Sequence, residues 1–471
     1  GQSCAGLGYH GGTLTCDTAC RYVETDCESF GRCGDGVLQA AYEACEGADL
    51  GGATCRALGA FFGTPACDDQ CALQTGSCRA VEEWGSPPED GVYATALSAT
   101  SELYVAGYVG GSLDGQPFAG GRDIYLRKYA PDGRLLWTRQ WGTATEDAAM
   151  AIALGPGQDV FVAGYAGAGL DGQASFGSAD LFLSRFDADG NKRWTRMWGS
   201  SGWDSAYGIH VDGSGIVFLT GSTGHSLNGN PHLGNDDIFL MAVDDNGDAL
   251  WTRQWGGVYD DAGRGVVAGP SGDLFLAGHT QGSLDGQSAF GERDLFAMRV
   301  TAAGEKTWTR QWGTSTIDYS RAMTSDSSGN LFLAGATGGS WEGPSNGEYD
   351  IILLKANADG VTQWRRQWGT SAGDYGQAVA LDSVGIWVAG RTNAALDGQV
   401  HQGTEDLFLT RFAQDGTKLW TRQWGTSGFD GAYSLTSDNS GGIWIGGTVG
   451  GSLQGQPFLG MQDAVFLYYA P

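Results

Sequence analysis

Carboxylates are the reactive groups that this sequence repeats. Asp recurs six residues after the Trp of a Trp-Gly pair, at Asp90, Asp147, Asp204, Asp261, Asp318, Asp374 and Asp430. It recurs again ahead of an apolar stretch, at Asp123, Asp180, Asp237, Asp294, Asp350, Asp406 and Asp463. A third position, acidic or amide, marks the tip of a Gly-rich loop that usually reads Ser-Leu-Asp-Gly-Gln: Asp114, Asp171, Asn228, Asp285, Glu342, Asp397 and Gln454. Carboxylates in such sets could cleave a glycosidic bond as a pair, hold Ca2+, or tie down turns by accepting bonds from nearby backbone N–H groups. Presence in every copy favours the turn role, because a reacting centre breaks symmetry. The loop tips are the candidates for ligand binding. Their loops vary most between copies, with His225 and Trp341 each found in one copy only, and binding tends to live on such loops.

Other catalytic material is scarce. The chain has six His, no HExxH string, and no Cys after Cys78 to act as a nucleophile in the repeats. No catalytic residue is assigned, and no cofactor is called for beyond a test of Ca2+ at the carboxylate rings.

The elements that must position these groups are announced by WTRQWG, residues 137–142. Its closing Trp-Gly stands at Trp84, Trp141, Trp198, Trp255, Trp312, Trp368 and Trp424, at steps of 57, 57, 57, 57, 56 and 56 residues. A period that regular is the mark of a repeat architecture. Within a unit, AAMAIAL, VFVAGYA, LFLSRFD and KRWTRMWG alternate apolar and small or polar residues and are parted by Gly- and Asp-rich turns. They predict four short antiparallel strands. Asp-Gly at 132–133, 189–190, 359–360 and 415–416 is a hairpin signal before the last strand. Such a sheet cannot bury both faces alone, and radial stacking solves that, so the expected fold is an all-β propeller.

Six complete repeats lie between the Trp-Gly sites, three strands follow Trp424, and one lone strand, RAVEEWG at 79–85, precedes the first unit. The two incomplete pieces make one blade. The expectation is a seven-bladed propeller over 79–471, closed by strand 79–85 completing the last blade. In such a ring, the loops before the first strand and between the second and third share one rim. Along the fourth strand Trp137, Arg139 and Trp141 point one way, so Arg139 is expected to stack on both indoles as blade packing.

These repeats, carried by AGYVGGSLDGQPFAGGRDIYLRKYAPDGRLLWTRQWG (residues 106–142) and its six relatives, resemble the bacterial seven-bladed β-propeller repeat family of exported and cell-surface proteins. The resemblance implies fold and location and brings no reaction.

Residues 1–78 form a separate expected domain. Cys4, Cys16, Cys20 and Cys27 are spaced 12, 4 and 7, and Cys55, Cys67, Cys71 and Cys78 repeat that spacing, with Cys33 and Cys45 between the copies. Ten cysteines confined to a short Gly-rich segment predict disulfides and an oxidising compartment. Zinc is the rival, through Cys16 and Cys20, but paired CxxC knuckles are missing. Spacing does not give the connectivity. The run CGDGVLQ…EACEGADLGGATC…CDDQC…C resembles cysteine-rich repeats of secreted myxobacterial proteins. The first module holds only the last four of the six cysteines, so further modules upstream of Gly1 are expected.

With 54 acidic against 27 basic residues the net charge is −27, which argues against nucleic-acid partners. No run of 18 apolar residues predicts a membrane span. The reading is therefore a secreted or cell-surface bacterial propeller, non-enzymatic, serving adhesion, recognition or assembly of an extracellular structure. Its expected partner is a protein or glycan at the surface or in the matrix, with self-assembly through the cysteine-rich segment. The alternative is a carbohydrate-active enzyme, or a multivalent lectin using the long-loop rim.

Overall fold

The computed structural model describes residues 2–55, 60, 62–63, 65–76, 78–438 and 441–470. The chain divides into two compact units, Gly1–Glu82 with Ala130–Arg134, and Glu83–Tyr129 with Leu135–Pro471.

The larger unit is a seven-bladed propeller, each blade a four-stranded antiparallel sheet. The first blade shows the pattern, with strands Asp90–Leu97, Leu103–Val109, Asp123–Tyr129 and Leu135–Trp141. Its second and third strands are buried at every position, because neighbouring blades cover both faces. That explains the apolar character of the second strand, while Asp123, Arg127 and Lys128 of the third are buried with partners. The fourth strand is half exposed, so Trp and Arg alternate with polar residues there. Hydrophobic clusters lie between blades: Tyr104, Ile124 and Leu126 pack with Val160, Val162 and Phe182 of the next sheet. Burying a side chain of Phe182's size stabilises by about 1.5–3 kcal/mol, and each blade interface contributes several.

The ring shuts as expected. Gly431–Ser437, Ile443–Val449 and Asp463–Tyr469 form a sheet whose fourth strand is Val81–Trp84. First strands pack in cyclic order, and the last, Gly431–Ser437, packs on Asp90–Leu97. Parallel bridges join Arg122 to Glu146, Arg293 to Ile317 and Tyr349 to Gly373. They place the loop before each third strand beside the loop entering the next blade, which is the shared rim.

Arg139 departs from the expectation in one respect. Its guanidinium stacks on Trp137, 5.0 Å from the ring centroid, while Lys192 of the next blade covers Trp141 at 4.8 Å. The rest of the Arg139 fork reaches across the interface. Nε donates to Gly190 O at 2.7 Å and an Nη donates to Asp189 O at 3.0 Å. Arg196, Arg253 and Arg366 likewise clamp the hairpin that follows them, Arg366 at Gly416 O, 2.6 Å away.

The smaller unit is held by four disulfides, Cys4–Cys27, Cys33–Cys71, Cys45–Cys67 and Cys55–Cys78. Cross-links of this kind typically add about 2–4 kcal/mol each, which a segment so poor in large apolar residues requires. The expectation that all ten cysteines are bridged is corrected at Cys16 and Cys20, which are exposed thiols. Their counterparts Cys67 and Cys71 sit on the same kind of hairpin: Cys16 pairs with Tyr22 and Cys67 with Leu73, and φ is positive at Cys20 and Cys71 alike. Cys67 and Cys71 are closed by Cys45 and Cys33. The other eight cysteines close among themselves.

Candidate functional site

The two Asp rings are fully buried and hold loops. Asp147 accepts bonds from Thr143 N at 2.5 Å, Thr143 Oγ1 at 2.9 Å and Gly167 N at 3.1 Å. It so pins both loops of the rim. Asp123 accepts from Ala119 N at 3.0 Å and from Gln140 Nε2 at 2.9 Å. Gln140 in turn takes Leu113 N onto its Oε1 at 2.9 Å, so the Gln of WTRQWG ties the long loop to the Asp beneath it. The Gly of the motif has a steric cause. A Cβ on Gly142 would stand 2.5 Å from Asp123 Oδ1, and one on Gly199 would stand 1.9 Å from Asp180 Oδ1. The two rings therefore meet around each Trp-Gly. Burial pushes the carboxyls of Asp90, Asp147 and Asp261 up to about 6.

The loop tips do not converge. Asp114, Asp171, Asn228, Asp285, Asp397 and Gln454 adopt left-handed φ between 50° and 54°, the conformation that Asp and Asn tolerate before Gly. Asp171 accepts from Thr195 Oγ1 and Lys192 Nζ, both at 2.6 Å. Asp397 does the same with Thr421 at 2.5 Å and Lys418 at 2.6 Å, and Asp285 with Thr309 at 2.5 Å and Lys306. Asp114 takes Thr138 Oγ1 at 2.5 Å and Arg127 at 2.8 Å, and Asn228 donates to Thr252 Oγ1 at 2.9 Å. Glu342 differs, reaching Arg366 at 3.4 Å. Asp114, Asp171, Asn228, Asp285, Glu342 and Asp397 are thus bound to the fourth, outermost strand of their own blade, and Asp114 also to Arg127 of the third.

What does converge lies on the first strands, around the central channel. Every first strand carries a β-bulge at the same place, between its third and fifth residues, or second and fourth in Gly431–Ser437, which starts one residue later. The extra residue is Tyr93, Met150, Tyr207, Arg264, Arg321, Gln377 and Tyr433 in turn around the ring. A bulged residue leaves the ladder and its side chain is re-aimed. All of these residues line one cavity of about 490 Å3, with Arg391. Two residues further along the strands, Ile152, Ile209, Val266 and Met323 line the same cavity and give it an apolar collar. No Asp or Glu is among the lining residues.

Arg side chains stack on Tyr rings about this opening. The guanidinium of Arg264 lies 4.0 Å from the Tyr207 ring centroid, that of Arg321 5.1 Å from Tyr319, and that of Arg391 4.6 Å from Tyr375. Tyr93 meets Tyr433 edge-on at 5.4 Å. Arg391 has an ion pair with Glu405 at 2.7 Å. Among the described residues no carboxylate pairs with Arg264, Arg293 or Arg321, and the Nε atoms of all three are buried without a hydrogen-bond partner. Burial, then the nearby Arg321 charge, pushes Arg264 down to about 10. Burial and the same cations drive His279 well below the usual histidine range, so its ring is neutral.

Sequence reasoning passed over this ring. Its signal was a single large side chain in each small-residue first strand, as in AGRGVVA and SRAMTS. One further string needs placing. Gly-Thr-Ser-Ala-Gly at 369–373 has the spacing of a nucleophile elbow, but Ser371 is exposed on a loop between two blades, with no helix after it.

No family model matches this chain. Among curated proteins it is similar to the regulatory protein FlaEY of Caulobacter vibrioides, 24% identical over an alignment of 379 residues that covers 69% of this chain. The chain spans 38% of that protein's length. Among solved structures it is similar to the Pan2 WD40 domain of Neurospora crassa, with 6% identity, a TM-score of 0.46, and 80% of this chain and 89% of that one covered. A virginiamycin B lyase from Staphylococcus aureus gives 12% identity, a TM-score of 0.42, and coverage of 82% and 98%. Fold does not fix function. No described helix is long and apolar enough to cross a membrane.

Proposed function

We propose that this chain is an extracellular, non-enzymatic recognition propeller that takes its ligand at the mouth of the central channel, in adhesion to or assembly of a structure at the cell surface. One observation carries the reading: all blades share their buried Asp ties, and most the Gln tie, but they differ at the bulged channel residue. Symmetry serves the framework, and the departure from it clusters where ligands enter propellers. Disulfides in the smaller unit support an oxidising, extracellular setting, and the exposed Cys16 and Cys20 offer that unit a covalent contact for assembly.

A binding role is favoured over glycoside hydrolysis because the cavity lining supplies no carboxyl pair. A lectin built on the loop tips is disfavoured because those side chains already serve the fourth strands. The test is retention of purified protein on bacterial surface and matrix preparations, with release of reducing ends followed in parallel. Retention lost in the Arg264→Gln/Arg321→Gln double variant, without product release, is expected. Product release by the wild type, or undiminished retention of the variant, would refute the proposal.

A further inference from the structure

We propose that the channel mouth is a subsite for a uronic acid residue, its carboxylate held by Arg264 and Arg321 and its ring set among the channel tyrosines. This deepens the channel reading above and rests on it. Two guanidiniums without a carboxylate partner line a cavity in a chain that has 54 acidic residues. Folding alone gives no reason for that arrangement, since like charges repel and buried cations lose hydration. An oxyanion offsets both costs. The guanidinium fork matches a carboxylate through two parallel N–H···O bonds. Stacking on Tyr207 and Tyr319 fixes the planes of the two forks, which lowers the entropy lost on binding.

The remaining lining selects among carboxylates. Tyr93 and Tyr433 bring aromatic faces and hydroxyls, and Gln377 brings an amide. A ligand with hydroxyls all round, a flat CH face and one carboxylate meets all of these. The volume of about 490 Å3 falls in the range of small-ligand sites. A long polyanion is disfavoured by the −27 net charge of the chain, so the ligand is a terminal uronate or a short oligomer.

Calorimetric titration of the full chain with trigalacturonate, and with a trisaccharide ending in glucuronate, tests this. The references are the methyl ester of trigalacturonate, neutral galactotriose, and a tripeptide with a free terminal carboxylate. Binding of at least one uronate probe is expected, with the ester and the neutral sugar weaker by roughly tenfold or more. Arg264→Gln and Arg321→Gln, which copy the residue of the sixth blade, should each weaken binding by roughly ten- to a hundredfold, the usual effect of losing a charged hydrogen bond. Their melting temperatures, equal to or above wild type, establish that both fold. Equal binding of the ester, Arg-independent binding, silence with both uronates, or Arg-dependent binding of the peptide instead would each overturn the proposal. If the uronates fail while the double variant still loses surface retention, the sugar class is wrong and the channel reading stands. If retention also survives, both fall.

Discussion

Glu83 occupies, in the strand that shuts the ring, the position that Gln holds in most other blades, so Glu83→Gln should stabilise the protein. In an ordinary blade the Gln amide does two jobs. Gln254 Oε1 accepts Leu227 N at 3.0 Å, and its Nε2 donates to Asp237 at 2.8 Å. Glu83 keeps the first job, accepting Leu453 N at 2.6 Å, but as a carboxylate it has nothing to donate to Asp463. Its second oxygen is buried without a partner. Burial, with Asp463 and Asp430 nearby, pushes the Glu83 carboxyl up to about 7, against the Leu453 bond that lowers it. The displacement from the ordinary Glu value corresponds to ~3 kcal/mol against the charged form. Allowing for residual solvent screening, the gain for Gln at pH 8 is about 2–3 kcal/mol.

The sign of the pH dependence follows. A raised folded-state value means that the folded chain binds the extra proton first, so the penalty on wild type is full above pH 7. It fades as pH falls through about 7 toward 4.5. Urea unfolding of both proteins should therefore show a large difference at pH 8 that nearly closes at pH 5. In calorimetry the shift at pH 8 is about 2–4 °C for a propeller of this length. The reciprocal change, Gln254→Glu, should cost a similar amount at pH 8. No gain at pH 8, or a gain of the same size at pH 5, would refute the account of the seam.

Gly199→Ala would set a methyl 1.9 Å from Asp180 Oδ1 and should destabilise by about 1–3 kcal/mol in urea, while Gly213→Ala, with open space at its Cβ, should stay within ~0.5 kcal/mol of wild type. Arg264→Met, which copies the second blade's Met150, should raise stability by about 1–2 kcal/mol after screening. Arg264 is a base lowered only to about 10, so its penalty is constant from pH 5 to 9, and a loss of stability or a pH-dependent gain would count against an unpaired cation there. Thiol titration of the unreduced chain should find the two thiols of Cys16 and Cys20, with peptide mapping placing the label on both; fewer, or a label elsewhere, would overturn the pairing.

The frame was legible because its causes are local and repeated. Trp-Gly spacing counted the blades, the leftover strand at either end located the seam, and Asp ahead of loops announced turn-tying carboxylates. The reason for the Gly after each Trp was not legible: it answers to Asp side chains 19 residues earlier and five later, as at Gly142 with Asp123 and Asp147. Arg139 was placed on the right face, but its second contact is the next blade's hairpin, which no strand pattern within one blade reveals. The bulge left no mark in the sequence because every first strand has it. A residue shared out of register by all copies does not disturb the period, so Arg264 and Arg321 read as strand filler. Disulfide pairing was hidden for a related reason. Cys33 and Cys45 cross to Cys71 and Cys67 in reverse order, and spacing alone does not distinguish that from its alternatives.

The bulge also explains how a repeat protein can hold a specific site. A residue in regular register on a first strand must fit the neighbouring blade, which is why Ala, Gly or Ser flanks the bulge on both sides in every blade but the first, where Val92 precedes it. The bulged residue makes no ladder pair and faces the channel, so its identity is free of the packing that fixes its neighbours. Each blade thereby carries one position that can change without disturbing the frame. The changes are not scattered. Arg264 and Arg321 belong to adjacent blades, Arg391 enters from the next, and Tyr433 and Tyr93 follow across the seam. Cations therefore gather on one side of the opening and tyrosines continue around it, which orients a ligand that is anionic at one end and hydroxylated at the other. A ring of seven like residues would have offered seven equivalent poses. The ordering of side chains around the channel reduces these to one, and specificity then rests on a difference between blades rather than on any single blade.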